Sequence, residues 1–159
     1  MALLAAAAIV CLCTLPRTGA DAAELLPAQV LVIAQEAGQV VVESDNGVTG
    51  AGAALPDALA AMHKSAPGTL FLDTAEHIIL LESAWTLVPA VVQQPQLRPA
   101  AKLYLARLTA LRASDCAAFL QAHPGTVTLA HAEAALLYAQ QPALPVLEAG
   151  SDGGMQLAG

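Results

Sequence analysis

The stretch QVLVIAQEAGQVVVESDNGVTGAGA, residues 29–53, decides how the rest of the chain is read. Two β-branched runs, 29–34 and 39–44, flank EAGQ, and such runs joined across a glycine predict a hairpin. Asn46-Gly47 follows as the strongest short turn signal in the chain, because both residues tolerate the positive φ of tight hairpin turns. TGAGA then continues as a strand of small residues whose glycines predict a close backbone approach or a bulge. A phosphate-binding G-x-G-x-x-G fails at its third glycine, since position 55 is Leu55.

Working outward, Pro56 and Asp57 suit the first turn of a helix on which Leu55, Leu59 and Met62 form one apolar face. Ala66-Pro67-Gly68 stops it. TLFLD (69–73) and EHIILLE (76–82) are strand material. In the second run His77, Ile79 and Leu81 share one face, and Glu76, Ile78, Leu80 and Glu82 the other. Ser83 is placed to cap a short helix through Gln94, with Pro89 marking a break or a fresh first turn and Pro95 the end. AKLYLA (101–106) alternates as a strand, with Leu103 and Leu105 opposite Lys102, Tyr104 and Ala106.

SDCAAFLQA (114–122) opens on the capping types Ser114 and Asp115 and predicts a helix, closed by His123-Pro124-Gly125. LAHAEAALLYAQQ (129–141) predicts another, with Leu129, Ala132, Leu136 and Ala139 or Tyr138 turned inward. PALPVLEAGSDGGMQLAG (142–159) sets two short apolar arms, 144–148 and 154–158, about a turn, which predicts a second hairpin. This alternation favours an α/β (α+β) fold: a mixed β-sheet with about four helices packed on it, a single domain over residues 24–141.

Composition narrows the function classes. The chain of 159 residues is 57% hydrophobic but 3% aromatic, so Ala, Leu and Val must fill the core. Six Lys and Arg stand against 13 Asp and Glu, a net charge of −7. The bases (Arg17, Lys64, Arg98, Lys102, Arg107, Arg112) are scattered, with no stripe to neutralise nucleic-acid phosphates or hold an anionic lipid surface. Mean hydropathy is +0.60. Yet the longest apolar run beyond the N-terminus, around HIILLESAW, is broken by Glu82 and too short to span a bilayer.

MALLAAAAIVCLCTL, uncharged through Leu15, matches the hydrophobic region of a signal peptide, and Thr18-Gly19-Ala20 offers a small-residue cleavage site before Asp21. Residues 1–20 are therefore expected to be a signal peptide or hydrophobic anchor, and the protein to be exported. Cys11 and Cys13 lie in that segment, which leaves Cys116 without a disulfide partner. Val10 and Leu12 precede the first two cysteines where a lipidation motif wants a small residue, and Cys-x-Cys lacks two further metal ligands nearby.

The titratable side chains form no convincing constellation. His63, His77, His123 and His131 each lack a second ligand at i+2, i+3 or i+4. His77 adjoins Glu76, but strand alternation points the two apart. Ser114-Asp115-Cys116 with His123 is conceivable as a thiol nucleophile and base, although a lone Cys on an Ala-rich face is more often a small core hydrophobe. Asp73 and Glu76 are an unremarkable acid–base pair. No catalytic, cofactor-binding or metal-binding residue is assigned, and no cofactor is expected.

One longer pattern says more. GAALPDALAAMHKSAPGTLFLDTAEHIILLES, continued by QQPQLRPAAKLYLAR, runs from a small-residue strand into a helix at Ala58-Leu59 and a strand at Leu70-Phe71-Leu72. Glu76-His77-Ile78-Ile79-Leu80, Pro95-Gln96-Leu97-Arg98 and a final LYLA strand follow. This order resembles the N-terminal domain of the Ger(x)C family, the lipoprotein C subunit of spore germinant receptors. ALPVLEAG and MQLAG resemble the segment that opens that family's next domain, so residues 142–159 are expected to be the start of a truncated following domain.

The resemblance implies a non-enzymatic, exported, membrane-associated component of a spore germinant-receptor-like complex. It would act through protein–protein contacts with membrane-embedded subunits at the outer face of the cell or spore inner membrane. The alternative is a free-standing secreted domain that binds a small ligand or a protein. An exported hydrolase ranks last for want of a triad.

Overall fold

The computed structural model describes residues 25–108, 110–150 and 154–158. The expected signal peptide at 1–20, with Cys11, Cys13 and Thr18-Gly19-Ala20, lies outside the described residues.

Strands β2 (Val30–Glu36) and β3 (Gln39–Ser44) form the first hairpin, paired from Leu31↔Ser44 to Glu36↔Gln39. Ala37 and Gly38 are its two loop residues, and both adopt positive φ (47° and 81°), matching the right-handed twist of the strands they join. Gly47, at φ 80°, makes the next turn, and the Asp45 carboxylate in that turn accepts the backbone N–H groups of Gln29 and Val30. β4 (Thr49–Gly52) then pairs antiparallel with β3.

Helix α1 (Leu55–Ser65) lies directly on β4, with Pro56 in its first turn and Leu55, Ala58, Leu59 and Met62 buried. A Cβ on Gly50 would collide with the Ala58 carbonyl oxygen, so the glycine predicted to permit a close approach does so.

β5 (Thr69–Phe71) is shorter than TLFLD and leaves the main sheet to pair in parallel with β1 (Leu25–Pro27), a strand not anticipated from sequence. The main sheet has seven strands in the order β4-β3-β2-β6-β7-β8-β9, where β6 is His77–Leu81, β7 Lys102–Ala106, β8 Val146–Ala149 and β9 Met155–Ala158. β2, β6, β7 and β8 run parallel, and hairpins extend both edges. The fold is thus α/β with a mixed sheet, and the described residues form four α-helices.

Alternation divides the side chains of the sheet as expected. Leu31, Ile33, Val40, Val42, Ile78, Leu80 and Leu103 pack on one face beneath α1, α2 (Val88–Val92) and α4 (Leu129–Leu137). Val30, Val32, Ala34, Ile79, Leu81, Tyr104, Ala106 and Leu147 pack on the other beneath α3 (Ala113–Ala122). All five residues of β6 are buried, which is why HIILL reads as a continuous apolar run.

Three helix boundaries depart from expectation. Residues 83–94 are not one helix but a 3₁₀ segment, Glu82–Leu87, followed by α2 with Pro89 in its first turn. Ser83 does not cap, because its hydroxyl accepts the Gln35 N–H of β2 instead. α3 starts one residue early, with Arg112 at the cap position and Asp115 in the first turn. α4 begins at a Thr128 cap, whose hydroxyl accepts the His131 N–H, but ends at Leu137. Of the two residues expected as alternatives on the inner face, Ala139 turns into the left-handed region (φ 54°) and Tyr138 is 79% exposed.

The second hairpin, expected at 144–148 and 154–158 as the opening of a following domain, is hydrogen-bonded into this sheet. β8 pairs with β7 at Leu105↔Val146 and Ala106↔Leu147, and β9 pairs with β8. Leu147 is fully buried, and an ion pair of 2.6 Å joins Arg107, just past β7, to Glu148.

Candidate functional site

The strands place His77 and Lys102 side by side, because His77↔Lys102 is a register pair of β6 and β7. Two residues further along β7, Tyr104 is fully buried on the same face. Its hydroxyl lies 3.0 Å from His77 Nδ1 and accepts the Gly125 N–H at 2.9 Å. A buried hydroxyl must also place its own proton, and His77 Nδ1 is its other partner. Tyr104 therefore donates to Nδ1. That fixes the tautomer of His77, whose hydrogen is carried on Nε2.

His77 is 4% exposed. Burial pushes its pKa below the ordinary imidazole value; Glu76 pulls the other way, and Lys102 and Arg98 add to the lowering. Burial likewise raises the Tyr104 pKa, against the Gly125 N–H that favours the phenolate. Arg98 is held over the start of β6 by Nε donating to the Ala75 carbonyl (3.1 Å) and by Nη2 pairing with Glu76 (3.3 Å). Glu76, His77, Arg98 and Lys102 line a cleft of about 270 Å³ with Leu120 and Gln121 of α3.

A second hollow, of about 650 Å³, opens between the 3₁₀ segment, α2 and the 141–144 loop. Trp85, Val88, Leu105, Leu136, Pro142 and Leu144 line it. The buried indole Nε1 of Trp85 has no hydrogen-bond partner among the described residues. Beside Leu136, Leu137 and Tyr138 are 80% and 79% exposed.

The other sequence candidates are kept apart. Cys116 is fully buried on α3 with its thiol donating to the Arg112 carbonyl. Burial first, then Asp115 and Glu43, push its pKa up to about 12. His123 stacks on Phe119 at 4.9 Å and meets the Phe119 carbonyl through Nδ1, so its contacts are with Phe119 and not with the thiol. Ser114 donates to Asp115. Glu76 pairs with Arg98, whereas Asp73 lines a different hollow with His63 and Gln96. His63 and His131 contact Gln96 and Thr128. Among the described residues no group of three or more His, Cys, Asp and Glu is disposed to hold a metal ion, and no helix is long and apolar enough to cross a membrane.

Arg98, Lys102 and Gln121 went unnoticed as companions of His77. Alternation correctly put Lys102 and Tyr104 on one face of their strand, but the register that brings them to His77 is a tertiary fact. What fold and site define is a mixed α/β domain with a polar cleft at the start of β6 and β7 and an apolar hollow beyond the end of β6. No family model, characterised protein or solved structure matches the chain.

Proposed function

We propose that the protein is a non-enzymatic, exported component of a membrane-associated, germinant-receptor-like complex, acting through protein–protein contacts. The observations that carry this reading are the hollow beside Trp85, lined in part by Leu136, and the exposure of Leu137 and Tyr138, which follow Leu136 in the chain. Large apolar side chains left in water favour a partner that covers them. The order of small-residue strand, α1, β5, β6, α2 and β7 is also the order of the segment that resembles the Ger(x)C N-terminal domain.

The non-catalytic part of the reading draws support from Cys116. A thiol with a pKa of about 12 holds a negligible thiolate fraction near neutrality, and the thiolate is the nucleophile. Iodoacetamide at pH 8 should accordingly modify Cys116 no faster than the protein unfolds. Rapid labelling of the native protein contradicts that account.

Fractionation of the producing cells tests the rest. The wild type should sediment with membranes and co-purify with a polytopic subunit, and the double variant Leu137→Asp, Tyr138→Asp should lose that subunit while keeping its circular dichroism. Recovery of the wild type as a free soluble protein overturns the proposal. That result would favour the runner-up, a secreted binding domain, for which the His77 cleft speaks.

A further inference from the structure

The polar cleft stands out against the charge of the whole chain. The protein carries a net −7, and its six Lys and Arg include five among the described residues: Lys64, Arg98, Lys102, Arg107 and Arg112. Arg98 and Lys102 both line this one cleft, against the single carboxylate of Glu76. One positive charge is left in excess where the surrounding protein is acidic. Leu120, Ala100 and Pro124 supply apolar walls, and charge is felt more strongly beside such walls than in open water.

The hydrogen-bonding groups are already committed in a way that leaves particular donors for a ligand. Arg98 spends Nε on the Ala75 carbonyl and Nη2 on Glu76, so Nη1 remains. Lys102 forms no ion pair among the described residues and brings up to three donors. His77 is turned by Tyr104, itself anchored to the Gly125 N–H, so that Nδ1 is an acceptor already filled. The ring nitrogen left for the cleft is Nε2, and it carries a hydrogen. A neutral, buried and orientationally locked N–H donor thus stands beside the half-buried Lys102 ammonium on the neighbouring strand.

We propose that this cleft binds a small carboxylate, with His77 Nε2–H and Lys102 Nζ donating to its two oxygens and Arg98 balancing its charge. The single excess positive charge matches a monoanion, and a volume of about 270 Å³ admits a compound of only a few heavy atoms. A dianion such as phosphate would leave an unbalanced negative charge beside Glu76. The site is independent of the partner surface at Leu137 and Tyr138, so the purified protein suffices to test it.

The test is a titration of the purified protein with sodium acetate and, separately, with inorganic phosphate, at pH 7.5 and constant ionic strength, followed through the ring nitrogens of His77 by NMR. Acetate should move the His77 Nε2 resonance saturably, leaving His63 and His131 unmoved. Lys102→Gln should weaken the acetate response at least tenfold, whereas Lys64→Gln, outside the cleft, should leave it unchanged. The wild-type titration stands even if a variant fails to fold. An acetate response that does not saturate, one equal at all histidines, one indifferent to Lys102→Gln, or saturation by phosphate alone each overturns the proposal.

Discussion

The two faces of the main sheet are buried by different means. Beneath α1, α2 and α4 the contacts are aliphatic: Leu31, Ile33, Ile78, Leu80 and Leu103 meet Leu59, Met62, Val91 and Leu129. Beneath α3 the layer includes the His77–Tyr104–Gly125 hydrogen-bond chain, the Cys116 thiol, and a Glu43 carboxylate that accepts the Ala113 N–H at the start of the helix. The cause lies in the connections. Each step from β2 to β6, to β7 and to β8 moves one place outward in the same direction, and α1, α2 and α4 of these connections lie on one side, while α3, which precedes α4 in the last connection, lies on the other. The second face is left to the single helix α3, and polar side chains fill part of what further helices would cover.

The comparison is sharpest at Leu80, fully buried on the three-helix face. Leu80→Ala should destabilise the protein by about 2–5 kcal/mol in urea unfolding, because the cavity cannot collapse between a central strand and packed helices. A loss below 1 kcal/mol, on the order expected of a surface change, would mean that this face is loosely packed.

On the α3 face, Tyr104→Phe should cost less, about 1–3 kcal/mol, the penalty of leaving the Gly125 N–H and His77 Nδ1 without their partner. The burial of His77 on this face sets a pH dependence. His77 has a folded pKa below its ordinary value of 6.5, so the unfolded chain binds the proton more readily. This contribution is fully present above about pH 6.5 and is lost as pH falls from there through the folded pKa. Urea midpoints measured down that range should drop for the wild type and drop less for His77→Gln. Equal slopes would remove His77 from the account.

The smallest effect belongs to the sheet edge. Arg107→Ala removes an ion pair whose side chains are 59% and 26% exposed, and should cost no more than about 1 kcal/mol. A larger loss in thermal melts would show that β8 depends on that pair more than on the burial of Leu147.

What the sequence disclosed follows the range of the interactions involved. The turn at Ala37-Gly38, the turn at Gly47, the two faces of HIILL and the fresh helical turn at Pro89 all rest on chemistry within a few residues, and all were legible. Ser83 was misjudged because its hydroxyl bonds to Gln35, 48 residues away. Periodicity puts Ala139 or Tyr138 on the inner face, but the helix stops before either and the chain turns at Ala139. The cleft was hidden for a similar reason. Its members come from three segments, and only strand register and the docking of α3 bring His77, Lys102 and Gln121 together.

The outward march of the parallel strands also bears on how the protein is made. As the chain emerges during synthesis, β2, β3 and β4 can form a meander from neighbouring sequence alone, and α1 follows to cover it. β6, β7 and β8 then each add to an open flank whose preceding strand has already been translated. No strand of the main sheet must be threaded between two earlier ones, so each crossover closes with a partner in waiting. Growth of this kind proceeds in the direction of translation, and the exposed flank at any moment is a single strand wide.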